Sequence, residues 1–221
     1  MGNKRKFIKI PPEVILEISE KNQHIPTLYS HSFLPLREVF WLRLKLIHKL
    51  ILLTNVGQSS CFDFGGGGGA FLPSLSNTFD QVDCGDKFCK EASSIVALYE
   101  LENVRTHEVD LLSFSAKGKK YQAVIAADVL EHFKSLKEPI EKIKELIHED
   151  GVLITSLPSE DGLYVFLRKL FGIKKPADHY HSAKQVEKFI EDQGFVRFKS
   201  IYVPFYIPLL QLFHITAWKI K

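Results

Sequence analysis

The 221-residue sequence is poor in the features that mark several protein classes. It holds three cysteines, Cys61, Cys84 and Cys89, an odd number without the paired spacing of a metal site. That argues against a disulfide framework and fits a reducing, cytoplasmic setting. Long apolar runs are missing: residues 50–53 are too few, and residues 201–213 are interrupted by Pro204 and Pro208. Neither reaches the ~20 apolar residues that cross a bilayer, so the chain reads as soluble. Met1–Lys9 is basic but has no apolar core of the kind a signal peptide needs. A strong charge of one sign is also missing. The net charge is +3 from 29 basic and 26 acidic residues, with no basic stripe, which argues against nucleic acid as a partner. An anionic partner or a membrane surface stays open. There is no internal repeat. At 45% hydrophobic and 25% charged, the composition is that of an ordinary globular protein. The length suits one α/β domain with an N-terminal extension, or two small domains.

What is present in excess is glycine at one place. Cys61-Phe62-Asp63-Phe64 runs into five consecutive glycines, Gly65–Gly69, followed by Ala70-Phe71-Leu72. A strand, a glycine loop and a helical segment in that order let backbone N–H groups approach a ligand closely. A flexible linker would also be glycine-rich, but linkers are flanked by polar residues and this stretch is flanked by apolar ones.

Around this loop the chain divides in two. Residues 1–57 read as a helical extension: a disordered basic lead over 1–11, a short helix over Pro12–Lys21, a loop, then a long amphipathic helix over Leu36–Leu53. Phe40, Leu44, Ile47 and Ile51 form its apolar stripe, and Arg37, Arg43, Lys45 and Lys49 its other surface. Such a helix packs on the core domain and covers a ligand cleft, in preference to inserting into a membrane. From residue 58 to 221, short apolar runs alternate with helical segments. Strands are expected at Cys61–Phe64, Phe79–Cys84, Val104–Val109, Tyr121–Ala127 and Gly151–Ser156. Helices are expected at Ala70–Leu75, Phe88–Leu101, Leu136–His148 and Ala183–Gln193. That alternation implies a doubly wound, mostly parallel sheet. The last two strand-like runs, Phe195–Val203 and Phe213–Ile220, suggest a C-terminal antiparallel hairpin.

The glycine loop has two candidate ligand classes. Gly65-x-Gly67-x-x-Ala70 satisfies the dinucleotide fingerprint, which would make the chain a nucleotide (NAD)-binding oxidoreductase. Asp63, two residues before the first glycine, points elsewhere: a carboxylate there repels a pyrophosphate but orients a cationic ligand. Asp63-Phe64-Gly65-Gly66-Gly67-Gly68-Gly69 resembles the first motif of class I S-adenosylmethionine-dependent methyltransferases, acid–x–Gly–x–Gly–x–Gly. Gly66 stands where that family often has Cys or another small residue, a mild departure; Gly66 and Gly68 are extra to the three glycines the motif uses. Val124-Ile125-Ala126-Ala127-Asp128-Val129-Leu130-Glu131-His132 is similar to a segment of the family's small-molecule and quinone methyltransferases. Gly151 before the fifth strand, Pro158 after it, and His179-Tyr180-His181-Ser182 before the final helix extend the likeness over residues 58–221.

The resemblance implies a Rossmann-like fold with a seven-stranded sheet, and S-adenosyl-L-methionine as cofactor. It implies cofactor contacts from Asp63, Gly65, Gly66, Gly67 and Gly69, and from Asp83 at the second strand end, with Asp86 the competing ribose carboxylate if that strand runs longer. Asp110 and Leu111 would meet the adenine, and small Ala127 would leave room for the methionine end. The protein's task is then to bind, orient and keep dry a methyl group that the cofactor has already activated. If the acceptor is a hydroxyl, the candidate catalytic bases are Asp128, His132, His179 and His181. Taken singly, each histidine is more commonly structural, and beyond His179, His181 and Asp128 no further ligand spacing appears, so no metal site is expected. Leu163–Lys175 is apolar, aromatic and basic at once, and Tyr202–Leu210 adds a second apolar stretch. By resemblance to ubiquinone-type enzymes, these point to a small or lipid-like acceptor and a transient membrane-surface contact. The sequence has no Asn-Pro-Pro-Tyr-type segment of base-methylating enzymes. A non-catalytic cofactor-binding protein is the remaining alternative.

Overall fold

In the computed structural model, the alternating runs after residue 58 assemble into one seven-stranded sheet of order β3-β2-β1-β4-β5-β7-β6. The structure describes residues 5–19, 27–159, 162, 179–204, 207 and 211–221. The strands are β1 Ser60–Phe64, β2 Gln81–Asp86, β3 Val104–Glu108, β4 Tyr121–Ala127, β5 Ile147–Pro158, β6 Phe195–Pro204 and β7 Gln211–Ile220. The first five pair in parallel, while β7 runs antiparallel to both β5 and β6. The helices are α1 Pro12–Ser19, α2 Leu34–Leu53, α3 Leu72–Ser76, α4 Lys90–Leu98, α5 Lys137–Leu146 and α6 Ala183–Asp192. Two 3₁₀ turns cover Thr27–Tyr29 and Leu130–His132.

All five residues of β1 are buried, as are the last eight of β5, because both faces of the sheet are covered. The period of two divides the side chains between two cores. Cys61, Ala123, Ile125 and Ile154 face a core shared with Ile15 of α1 and with Trp41, Leu44 and Ile47 of α2. Phe62, Phe64, Val124 and Leu153 face the other core, with Ile140 and Ile143 of α5 and Val186 and Ile190 of α6. Gln185 fixes the start of α6, its side chain accepting the Ser182 N–H at 2.8 Å, a capping contact worth about 1 kcal/mol. The chain leaves β1 toward β2 and β3 on one side and returns to β4 on the other. Parallel sheets bind ligands where strand order reverses, at the carboxyl ends.

Several expectations need correction. Residues 5–11 are not a loose lead. Arg5 N–H donates to Asn77 O at 3.0 Å, Ile8 N–H donates to Ser74 Oγ at 2.8 Å, and Ile10 is fully buried. Arg43 does not belong to the outer surface of α2, being only 4% exposed. β2 begins and ends two residues later than expected, and that moves its terminal carboxylate. Gly151 does not precede β5 but sits within it, where the register shifts between the pairs Tyr121↔Ile147 and Ala123↔Val152. A Cβ at Gly151 would lie 2.8 Å from His148 O, so only glycine permits that shift. The apolar segment Leu163–Lys175, most of Pro204–Leu210 and residues 20–21 after α1 lie outside the described residues. Among the described residues, no helix is long and apolar enough to cross a membrane. Cys61, Cys84 and Cys89 are buried free thiols.

Candidate functional site

A cavity of about 510 Å³ opens at the carboxyl ends of β1 and β4. The glycine loop forms its floor. Gly65 N–H donates to Gly85 O at 2.9 Å, carrying the β1–β2 ladder one residue beyond the strand. Gly65, Gly67 and Gly69 take φ of +80°, +53° and +80°, backbone conformations that L side chains rarely adopt. Gly66 needs glycine for another reason: a Cβ there would lie 2.5 Å from Cys84 Sγ and 2.6 Å from Asp63 Oδ2. It is therefore required, not an extra allowance. Gly65–Gly68 line the cavity, whereas Gly69 lies behind it, where a Cβ would come within 2.8 Å of Ala92 Cα on α4.

Asp63 points into this cavity from β1 and is 3% exposed. Burial, with the Asp86 carboxylate beside it, pushes its pKa up to about 7. A negative charge beneath the glycines disfavours a pyrophosphate and favours a cationic group.

Strand parity turns Asp83 away from the cavity. Asp83 and Asp86 are three residues apart on β2, so their side chains leave opposite faces. Asp83 accepts from Lys119 Nζ at 2.6 Å and Tyr121 OH at 3.0 Å, and pairs with His107 Nε2 at 2.7 Å. Burial pushes this carboxyl up, but the Lys119 and His107 contacts win and hold it below the usual carboxylate range. It does not line the cavity. Asp86 does, accepting Gly67 N–H at Oδ2 (2.9 Å) and Phe88 N–H at Oδ1 (3.1 Å). It ties the glycine loop to the end of β2. Asp110 and Leu111, after β3, line the same wall, and Asp110 Oδ1 accepts Leu112 N–H at 2.9 Å.

On the β4 side the wall is Ala127, Asp128, Val129, His132 and Phe133. Asp128 holds a left-handed φ of +55° and donates its N–H to Ser156 O at 2.8 Å. Its carboxylate receives Arg43 Nη1 from α2, and Arg43 Nη2 donates to Tyr29 OH at 2.6 Å. The guanidinium also stacks over Phe213 at 5.0 Å. Burial works against charge on Arg43, but Asp128 and Tyr29 outweigh it and raise the pKa of the guanidinium. Tyr29, Arg43 and Leu44 thus close the cavity from the N-terminal side. Sequence reasoning missed Arg43 because a cation was assigned to the wet face. The spacing 40-43-47-50 places it on the same stripe as Phe40 and Ile47.

The histidines separate. His132 lines the cavity and its ring lies 4.6 Å from that of His179, which does not line it. His181 turns away, its Nε2 lying 3.3 Å from Lys134 O, and takes no part in the cavity. Glu131, 1% exposed, packs inward beside the two histidines.

No curated protein matches the chain in sequence. The fold is similar to that of the N-methyltransferase NodS from Bradyrhizobium japonicum in complex with S-adenosyl-L-homocysteine. That match has 13% identity over 95% of this chain and 97% of that chain, with a TM-score of 0.68. It is also similar to magnesium protoporphyrin IX methyltransferase from Synechocystis with bound S-adenosylhomocysteine, at 17% identity, 95% and 93% coverage and a TM-score of 0.64. A small RNA methyltransferase shares 18% identity over 83% of this chain and 26% of that chain, at a TM-score of 0.66. A family model described as a methyltransferase domain matches residues 37–197, from the first turn of the cavity-closing helix to the start of the final hairpin. The chain belongs to this methyltransferase-domain family.

Proposed function

We propose that this methyltransferase acts on a small or lipid-like acceptor held between α2 and the carboxyl edge of β4. Its cofactor is S-adenosylmethionine. When bound, that molecule supplies a methyl group already activated by a sulfonium. The residues present fit it: a cradle at Gly65 and Gly66 that a Cβ would fill, with carboxylates at Asp63 and Asp86. In this reading Asp86 takes the ribose role, Asp110 and Leu111 face the adenine, and Ala127 leaves room toward β4.

One observation carries the acceptor reading. The wall opposite β4 is built by the chain's own N-terminal segment, tied across by the Arg43–Asp128 ion pair, and it closes one side of a cavity of about 510 Å³ that acceptor and cofactor would share. Pockets of this size hold small molecules. Residues 1–57 then act as a lid, excluding water from the transfer. Asp128, held by Arg43, serves to position α2, and His132 faces the acceptor. Phe33 and Leu34 at the start of α2 are 47% and 53% exposed, which suits contact with a lipid surface.

The test follows methyl label from S-[methyl-³H]adenosylmethionine into phenols, hydroxylated lipids and amines, with and without liposomes. Label in the organic-extractable or small-molecule fraction supports the reading. Label confined to RNA or protein refutes it.

A further inference from the structure

We propose that Glu131, His132 and His179 form a binding site for one divalent transition-metal cation at the acceptor end of the cleft. One carboxylate oxygen and two imidazole nitrogens from these residues lie within 4.8 Å of one another. Donors around such a cation sit at ~2.0–2.2 Å from it, so modest side-chain rotation brings the three onto one ion. Two imidazoles with a carboxylate suit zinc, manganese, iron or cobalt, whereas magnesium and calcium favour all-oxygen sets.

The backbone holds the group in place from two directions. Glu131 and His132 are consecutive in the 3₁₀ turn Leu130–His132. His179 comes from the segment entering α6, which is pinned alongside that turn. Tyr180 N–H donates to Glu131 O at 2.9 Å, and the next residue, His181, reaches Lys134 O. Glu131 is 1% exposed, so its carboxylate reaches the group from the protein side while His132 faces the cavity. His132 connects the group to the cavity, one turn beyond Asp128. Three protein donors leave positions for water or for an acceptor oxygen, the arrangement of catalytic rather than structural metal sites. The competing reading is a packed His–His pair, whose rings meet edge-on at 81°.

The full-length chain, stripped with chelator and dialysed, is titrated with MnCl2 and ZnCl2 by calorimetry, with free Mn²⁺ followed by electron paramagnetic resonance. The expected result is one ion per chain. Glu131→Gln and His179→Ala should each weaken Mn²⁺ binding about tenfold or more, while S-adenosylhomocysteine affinity stays within about threefold. His181→Ala should bind as the parent does. Retained S-adenosylhomocysteine binding shows that a variant is folded; if Glu131→Gln fails that check, His179→Ala decides. No stoichiometric binding by the parent, unchanged binding in folded His179→Ala, or equal loss in His181→Ala overturns the site. Because the readout needs no acceptor, metal binding without methyl transfer sinks only the acceptor reading, and transfer without metal binding sinks only this one.

Discussion

Asp63 should make cofactor binding and chain stability depend on pH in opposite directions. Its carboxyl is pushed from 3.8 to about 7 by burial and by Asp86. Roughly three units at about 1.4 kcal/mol each amount to something on the order of 4 kcal/mol disfavouring the ionised form. Below pH 7 the ligand-free chain therefore holds a proton on Asp63 that the unfolded chain, above pH 4, does not. With more protons bound in the folded state, stability falls as pH rises through that window. A cationic ligand reverses the preference, since it favours the carboxylate. Binding then releases a proton, and affinity should climb by up to about tenfold per pH unit between pH 5 and 7, levelling above 7. Calorimetry with S-adenosylmethionine in buffers of differing ionisation enthalpy measures both the affinity and the proton release. Asp63→Asn should remove the pH slope, weaken binding at pH 8 and raise the melting temperature of the ligand-free chain at pH 8. An affinity flat from pH 5 to 7 in the parent, or an equal slope in Asp63→Asn, would refute the reasoning.

The other predictions concern the surrounding residues. Asp86→Ala should weaken S-adenosylhomocysteine binding about tenfold or more, whereas Asp83→Ala should leave it nearly unchanged. The latter instead strands the polar groups of Lys119, His107 and Tyr121 and costs about 1–3 kcal/mol by denaturant titration. The reverse ranking in affinity would return the ribose role to Asp83. Gly66→Ala must displace Asp63 or Cys84, so cofactor affinity should drop by about an order of magnitude with the fold kept, measured by calorimetry and circular dichroism. Arg43→Met removes the cation from Asp128. Breaking a buried pair costs about 3–5 kcal/mol, but Asp128 is 29% exposed, so about 2 kcal/mol is expected by thermal melt. An unchanged melting temperature would show that the pair does not hold α2.

The glycine loop, the strand–helix alternation and the final hairpin were legible because each depends on local pattern. Five glycines admit backbone approach wherever they occur, and period-two apolar runs must be buried on one or both faces. Element ends were less legible, since the register between neighbouring strands decides where each one stops. The two-residue shift of β2 decided which aspartate reaches the cavity. The β4 carboxyl end shows the same limit: Asp128 was legible at the sheet edge and lines the cavity, but nothing in the neighbouring residues marks Glu131 as buried.

The sequence alone determined the fold class, the glycine loop at the end of β1 and the place of Asp63 beneath it, because these are properties of consecutive residues. Only the tertiary structure decided that Asp86 and not Asp83 faces the cleft. It also brought Arg43 across 85 residues to Asp128, and Glu131 beside His132 and His179. Those choices rest on strand register, helix rotation and the return of a distant segment, none of which is written in the spacing of neighbouring residues.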